Sequence, residues 1–130
     1  MLVIDASVAV RACAAADGFA ELGSEKLAAP GLMWSEARSA IHETAWRGEI
    51  DARDAESACL RLADCPVERV DRPDLGPEAW AIANELGLAK TYDAEYLALA
   101  RLLHCRLLTL DRRLRRGAER LGFVVGPSEL

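Results

Sequence analysis

The sequence predicts an α/β fold, a three-layer α/β/α sandwich with a central, mostly parallel sheet, and three observations predict it. Short, continuous apolar runs such as Leu2-Val3-Ile4 and Leu107-Leu108-Thr109-Leu110 fit strands buried on both faces, not strands with one wet face. These runs alternate with segments of helical periodicity, the order expected of parallel strands joined by helical crossovers. Twenty-four alanines against seven aromatics supply small side chains of the kind that pack helices closely onto a sheet and leave little material for a large aromatic platform.

Each element follows from local signals. Leu2-Val3-Ile4 is the first strand, ending at Asp5; Ser7 then caps a helix through about Ala16, broken by Asp17-Gly18. Leu27-Ala28-Ala29 before Pro30-Gly31 is a second short strand. Residues 32–47 form a helix closed by Gly48, and Asp51 begins another that runs to about Asp64 with Ala52, Ala55, Cys59 and Leu62 on one face. Val67 to Val70 is a weaker strand. Pro77 sits where the first residue of a helix would be, and that helix stops near Gly87. Asp93 caps a helix from Ala94 to Leu103 that is apolar nearly all round and therefore buried, Glu95 and Arg101 being its only charges. Leu107 to Leu110 is a strand ending at Asp111. An Arg-rich helix to about Leu121 and a last strand at Phe123-Val124-Val125 complete the chain.

The 130 residues, 52% hydrophobic, carry no internal repeat, linker or low-complexity tract and size the chain as one domain, residues 1–130. No apolar run reaches the length of a membrane span and no charged leader precedes Leu2, so a cytoplasmic protein without membrane association is expected. Cys13, Cys59, Cys65 and Cys105 form no Cys-x-x-Cys pair. With His42 and His104 far apart, small buried thiols are expected rather than a zinc or disulfide scaffold. The net charge of −5 argues against coating nucleic acid by bulk electrostatics. Its distribution is uneven, however: residues 1–98 hold 9 basic and 18 acidic groups, whereas residues 99–130 hold 7 arginines against Asp111, Glu119 and Glu129.

Four acids stand out. Asp5 and Asp111 each follow a buried strand and precede a helix, which in a parallel sheet places them at carboxyl ends of strands, where open α/β folds put their sites. Either is also a good helix N-cap, as is Asp93. Glu36 lies within a helix at the edge of its apolar stripe, facing inward or into a cleft. Ionised carboxylates about 4 Å apart repel by roughly 4 kcal/mol at an effective dielectric near 20, so a cluster of them calls for protonation or a cation. With no His or Cys in the set, the hard ions Mg²⁺ or Mn²⁺ suit it.

Val3-Ile4-Asp5-Ala6-Ser7, Pro30 through Glu36 leading into Ala40-Ile41, Tyr92-Asp93-Ala94-Glu95-Tyr96-Leu97-Ala98-Leu99-Ala100 and Leu107-Leu108-Thr109-Leu110-Asp111-Arg112-Arg113-Leu114 resemble the four motif regions of PIN-domain ribonucleases, above all the VapC-type toxins of bacterial toxin-antitoxin pairs. The resemblance spans essentially the whole chain. It implies a PIN-like fold and a metal-dependent endoribonuclease, usually dimeric, held in check by a VapB-type antitoxin. Carried over by position, it implies Asp5, Glu36, Asp93 and Asp111 as the acidic metal-site residues, with Ser7 and Thr109 as accompanying hydroxyls. Two positions depart from the family pattern: Ser39, where an Asn is common, and Arg112, where some relatives place a further acid.

The expected chemistry is hydrolysis of an RNA phosphodiester by a metal-activated water, leaving a 5′ phosphate. Leu114, Ala118 and Leu121 form the buried stripe of the last helix, while Arg113, Arg116 and Arg120 lie on another. Arg112 and Arg113 crowd its first turn, against the helix dipole. Arg112, Arg113 and Arg116 are therefore assigned to the RNA backbone. Trp34, Trp46 and Trp80 are expected as core or interface anchors. The alternatives are a structure-specific DNA nuclease on the same chemistry and a PIN-like module that only binds RNA or protein. An aspartyl-phosphate enzyme is disfavoured because residue 7 is Ser, where such phosphatases need a second acid.

Overall fold

The structure, a computed structural model, describes residues 1–130. Five strands, β1 (Leu2–Ile4), β2 (Leu27–Ala29), β3 (Val67–Arg69), β4 (Arg106–Leu108) and β5 (Val124–Val125), form one sheet in the order β3-β2-β1-β4-β5. Every pairing is parallel, Val3 standing opposite Ala28 on one side and Leu107 on the other. The sheet is thus wholly parallel where a mostly parallel one was expected. Six helices join the strands: α1 (Ala6–Cys13), α2 (Leu32–Trp46), α3 (Ala52–Ala63), α4 (Leu75–Leu86), α5 (Tyr92–Leu102) and α6 (Arg112–Gly117). Right-handed crossovers place α1 to α3 on one face as the chain moves outward from β1 to β3. They place α4 to α6 on the other as it returns past β1 to β4 and β5. The packing agrees: α1, α2 and α3 touch one another, α4 runs along α5, and α5 lies across β1 and β4.

The sequence explains where the core sits. Leu2, Val3, Ile4, Leu107 and Leu108 are buried on both faces of the central strands. From α5, Ala94, Tyr96, Leu97, Ala98, Leu99 and Ala100 are buried as well, as its apolar composition predicts. Met33, Ala37 and Ile41 supply the inner stripe of α2. Ion pairs fasten the outside: Arg101 reaches Glu78 at 2.7 Å and Glu85 at 3.0 Å, tying α5 to α4. Arg61 donates to the Cys13 carbonyl at 3.0 Å, tying α3 to the end of α1. All four cysteines are free. No helix is long and apolar enough to cross a membrane.

Several element ends differ from expectation, each for a local reason. Asp5, not Ser7, caps α1, and the helix stops at Cys13, three residues short of Ala16. A side chain on Gly18 would stand 1.9 Å from the Ala12 carbonyl oxygen, so the turn after α1 folds tightly back on the helix end. On α3 the buried residues are Ala58 and Leu62, with Ala52 exposed. Helix α4 starts at Leu75, so Pro77 is its third residue rather than its first. Its missing N–H is still among those that have no partner inside a helix. Gly87, left-handed at φ 69°, closes α4. Helix α5 starts at Tyr92 after Thr91, so Asp93 is its second residue and caps nothing. Strand β4 ends at Leu108, leaving Thr109 and Leu110 beyond it; β5 begins at Val124. The Arg-rich helix ends at Gly117 and continues as a 3-10 turn over Glu119–Leu121.

Candidate active site

The order of strands reverses at β1, with β2 on one side and β4 on the other, and a crevice opens past the carboxyl ends of such strands. Asp5 projects there from the end of β1, almost fully buried at 5% exposure. Its Oδ1 accepts from the Ser7 hydroxyl at 2.5 Å and the Val8 N–H at 3.2 Å, and its Oδ2 accepts from the Thr109 hydroxyl. Ser7 is in turn fixed by the Leu110 N–H at 3.1 Å, and Thr109 by the Asp111 N–H at 3.0 Å. The two strand ends are thereby laced together. Burial pushes the pKa of Asp5 up; the bonds from Ser7, Thr109 and Val8 pull it back, and the charge of Asp111 adds to the rise.

Asp111 caps α6, its Oδ1 accepting from the N–H groups of Arg113 at 2.9 Å and Leu114 at 3.2 Å. The capping reading and the site reading of this residue are thus compatible, because Oδ2 takes neither bond. Asp93 stands in the first turn of α5 with no hydrogen-bond partner. Its pKa is raised, first by desolvation on the protein side of an otherwise exposed group, then by the charges of Asp111, Glu36 and Asp5, with Arg113 opposing them. Glu36, half-buried on α2, accepts from the Tyr96 hydroxyl at 2.5 Å. All four predicted acids therefore lie in one electrostatic neighbourhood, carried by β1, α2, α5 and the start of α6.

Two participants were not singled out from sequence. Tyr96 is 1% exposed yet sends its hydroxyl to Glu36, and burial and that bond both push its pKa up. Glu95 is raised by desolvation and by Glu36. The available signal was position: Tyr96 is three residues after Asp93 on a helix that is otherwise almost wholly apolar. The predicted arginines divide. Arg113 borders a cleft of about 270 Å³ with Asp93, Asp111, Leu86 and Leu88, whereas Arg112 and Arg116 line a different groove. Arg120, expected on the same stripe, donates to the Glu85 carbonyl. Of the tryptophans, Trp34 packs on the core, while Trp46 and Trp80 are 81% and 66% exposed.

The donor set fits a hard cation. Counting the lone pairs left over, Asp93 offers both oxygens, Asp111 its Oδ2, Glu36 its Oε2 and Asp5 one remaining position. As the side chains lie, no three of them converge closely enough to form a ready-made cage. What the arrangement does provide is an all-oxygen set of acceptors from four acids with one guanidinium, that of Arg113, beside it.

A five-stranded parallel sheet with two carboxylates just past the ends of its central strands and two more on the helices beside them is the arrangement expected of a PIN-type fold. The PIN domain family model matches residues 2–120, and the chain belongs to that family. Within the family its kinship is to the VapC ribonucleases. It is 36% identical over 116 residues to VapC ribonuclease Mb0985 of Mycobacterium bovis and equally to ribonuclease VapC9 of Mycobacterium tuberculosis, with 88% of each chain covered. Among solved structures it resembles PAE2754 from Pyrobaculum aerophilum, with a TM-score of 0.76 and 28% identity, covering 98% of this chain and 90% of that one. A chain of a toxin-antitoxin complex from Klebsiella pneumoniae shares the fold, with a TM-score of 0.71, 17% identity and 98% of each chain covered.

Proposed function

We propose that this VapC-type PIN protein is a metal-dependent endoribonuclease and the toxin of a toxin-antitoxin pair, with Asp5, Glu36, Asp93 and Asp111 as its metal-site and catalytic acids. The observation that carries this reading is the gathering of these four carboxylates, with Arg113 the one cation acting on Asp93. Mg²⁺ or Mn²⁺ suits the site, because such ions keep several waters and need only one or two carboxylates. When bound, a divalent ion supplies Lewis-acid polarisation of a phosphoryl oxygen and acidification of a water. Asp5 and Asp93 are the residues best able to hold it, Asp5 because it is rigid and Asp93 because both oxygens are free. Asp111 and Glu36 hold water or take a proton from the attacking water, Glu36 through its free Oε2. Ser7 and Thr109 position Asp5. Arg113 neutralises the arriving phosphate, and Arg112 and Arg116 serve the strand beyond it.

The partners follow from the same reading: RNA as substrate, a VapB-type antitoxin as inhibitor and a second copy of the chain. Trp46 on α2 and Trp80 on α4, on opposite sides of the sheet, are large exposed aromatic side chains of the kind enriched at protein interfaces. The deciding experiment is cleavage of single-stranded RNA with Mg²⁺ or Mn²⁺, with EDTA, and with Asp5→Asn and Asp93→Asn. Cleavage by the wild type that EDTA and both substitutions abolish is the expected result. Equal cutting by all three proteins removes the catalytic assignment, and preference for DNA over RNA converts the reading to a DNA nuclease.

A further inference from the structure

Helix α6 has two basic faces, and only one belongs to the acidic cleft. Arg113, Leu114 and Gly117 border the cleft with Asp111. Arg112, Arg115 and Arg116, at i, i+3 and i+4, turn instead into a groove of about 610 Å³ beside the edge strand β5, which Glu119 and Glu129 also line. Arg112 and Arg116 are exposed, and neither pairs with a carboxylate. Arg115 does: its guanidinium binds Glu129, which also accepts from the Gly126 N–H at 3.0 Å. The fit is close, since a Cβ on Gly126 would meet the Arg115 guanidinium at 2.8 Å. A carboxylate thus sits on one member of an arginine trio, held there by a guanidinium and a backbone N–H, the same kinds of donor that bind a phosphate.

We propose that this groove is a second phosphate site, which engages an RNA strand away from the cleaved bond, and that Glu129 is its built-in competitor for Arg115. The inference rests on the ribonuclease reading and extends it. A helix with its side chains is about 10–12 Å across, so one nucleotide cannot serve both faces of α6. Long RNA reaches the groove; a dinucleotide occupying the cleft does not. RNA binding replaces the Glu129 contact with a phosphate and leaves the carboxylate in water.

The test compares Glu129→Gln, Arg115→Gln and the double variant with wild type, on a long single-stranded RNA and on a dinucleotide. Cleavage is followed with Mg²⁺, and binding by fluorescence anisotropy in EDTA over a salt series. Glu129→Gln is expected to lower KM for long RNA about threefold and to steepen the salt slope by about one contact, without changing kcat. The dinucleotide is expected to be indifferent to Glu129→Gln, and Arg115→Gln to cancel the gain in the double variant. If Glu129→Gln alters only the melting temperature and neither KM nor the salt slope, Glu129 merely holds the last turn and the inference is overturned. An equal gain on the dinucleotide also overturns it, since that places Arg115 in the cleft. If the wild type cuts no RNA, the ribonuclease reading fails, while the anisotropy salt slopes still decide the groove.

Discussion

Asp5 commits three acceptor positions to Ser7, Val8 and Thr109, and this arrangement makes its partners as testable as the carboxylate itself. Thr109→Val removes a hydroxyl from a buried anion while keeping the side chain's shape. A loss of about 1–3 kcal/mol in urea denaturation is expected, together with an acid limb of the pH–rate profile moved to higher pH, because a bond that lowers the Asp5 pKa is gone. Thr109→Ser retains the hydroxyl and is expected to restore both. Asp93 gives the opposite sign for stability. Its folded pKa is raised above the ordinary 3.8, so the folded state binds the proton more tightly than the unfolded chain. That contribution is present below pH 3.8 and lost as pH rises through the folded value. Asp93→Asn is therefore expected to raise the melting temperature of the metal-free protein at neutral pH, a gain that fades as the pH falls toward 3.8, while abolishing cleavage. Thermal melts in EDTA across that pH range decide it. A carboxylate whose removal stabilises the fold is one retained for another purpose.

At the scale of elements, the sequence signals were most dependable where burial dictates the pattern and least where a single turn decides the boundary. The apolar runs of β1, β2 and β4 are legible because strands covered on both faces leave almost no position for a polar side chain, and the inward stripe of α2 because the helical period returns Met33, Ala37 and Ile41 to one face. The capping of α5 is not, because Thr91, Tyr92 and Asp93 all sit near its first turn and only packing on β1 and β4 sets the phase. This one displacement matters chemically: a capping Asp93 would have an oxygen tied to its own helix, and the observed one has both free. Tyr96 is hard to read from sequence for a related reason, since a tyrosine in an apolar helix has the pattern of a core residue and only its hydroxyl, bonded to Glu36, marks it otherwise. Of the arginine stripe, Arg120 leaves the line because the helix ends at Gly117, whereas Arg113 and Arg116, both within it, border different grooves on the two sides of α6. Two glycines test the element ends directly. Gly18→Ala forces a methyl against the Ala12 carbonyl and is expected to cost on the order of 1–3 kcal/mol. Gly76→Ala in the first turn of α4 meets no atom and is expected to add about 0.4–1 kcal/mol. Chemical denaturation of the two variants reads both.

For the whole molecule, the overall charge of −5 and the chemistry of an RNA-cutting protein are reconciled by placement. The acids that dominate residues 1–98 include three of the four at the crevice, and the surplus of arginine lies in the last 32 residues, on the helix that starts from the fourth. Affinity for single-stranded RNA is accordingly expected to fall with salt despite the negative total, with a log–log slope near −2 if Arg112, Arg113 and Arg116 each meet one phosphate at about 0.7 per contact. A slope near zero in a binding titration removes the arginine assignment. Mg²⁺ is expected to raise the melting temperature of the wild type and to leave Asp5→Asn unchanged, since a ligand stabilises only the state that binds it.

The lacing of Asp5 to Thr109 spans 104 residues, and β1 finds one of its two neighbours only in residues 106–108. A chain growing from its amino terminus therefore carries its first acid, Asp5, for most of synthesis with no hydroxyl partner on Oδ2 and no β4 beside it. The crevice comes into being only when residues 106–108 take their place in the middle of the sheet. Any chemistry that depends on Asp5 held by Thr109 therefore awaits β4, so the site is among the last parts of the fold to assemble.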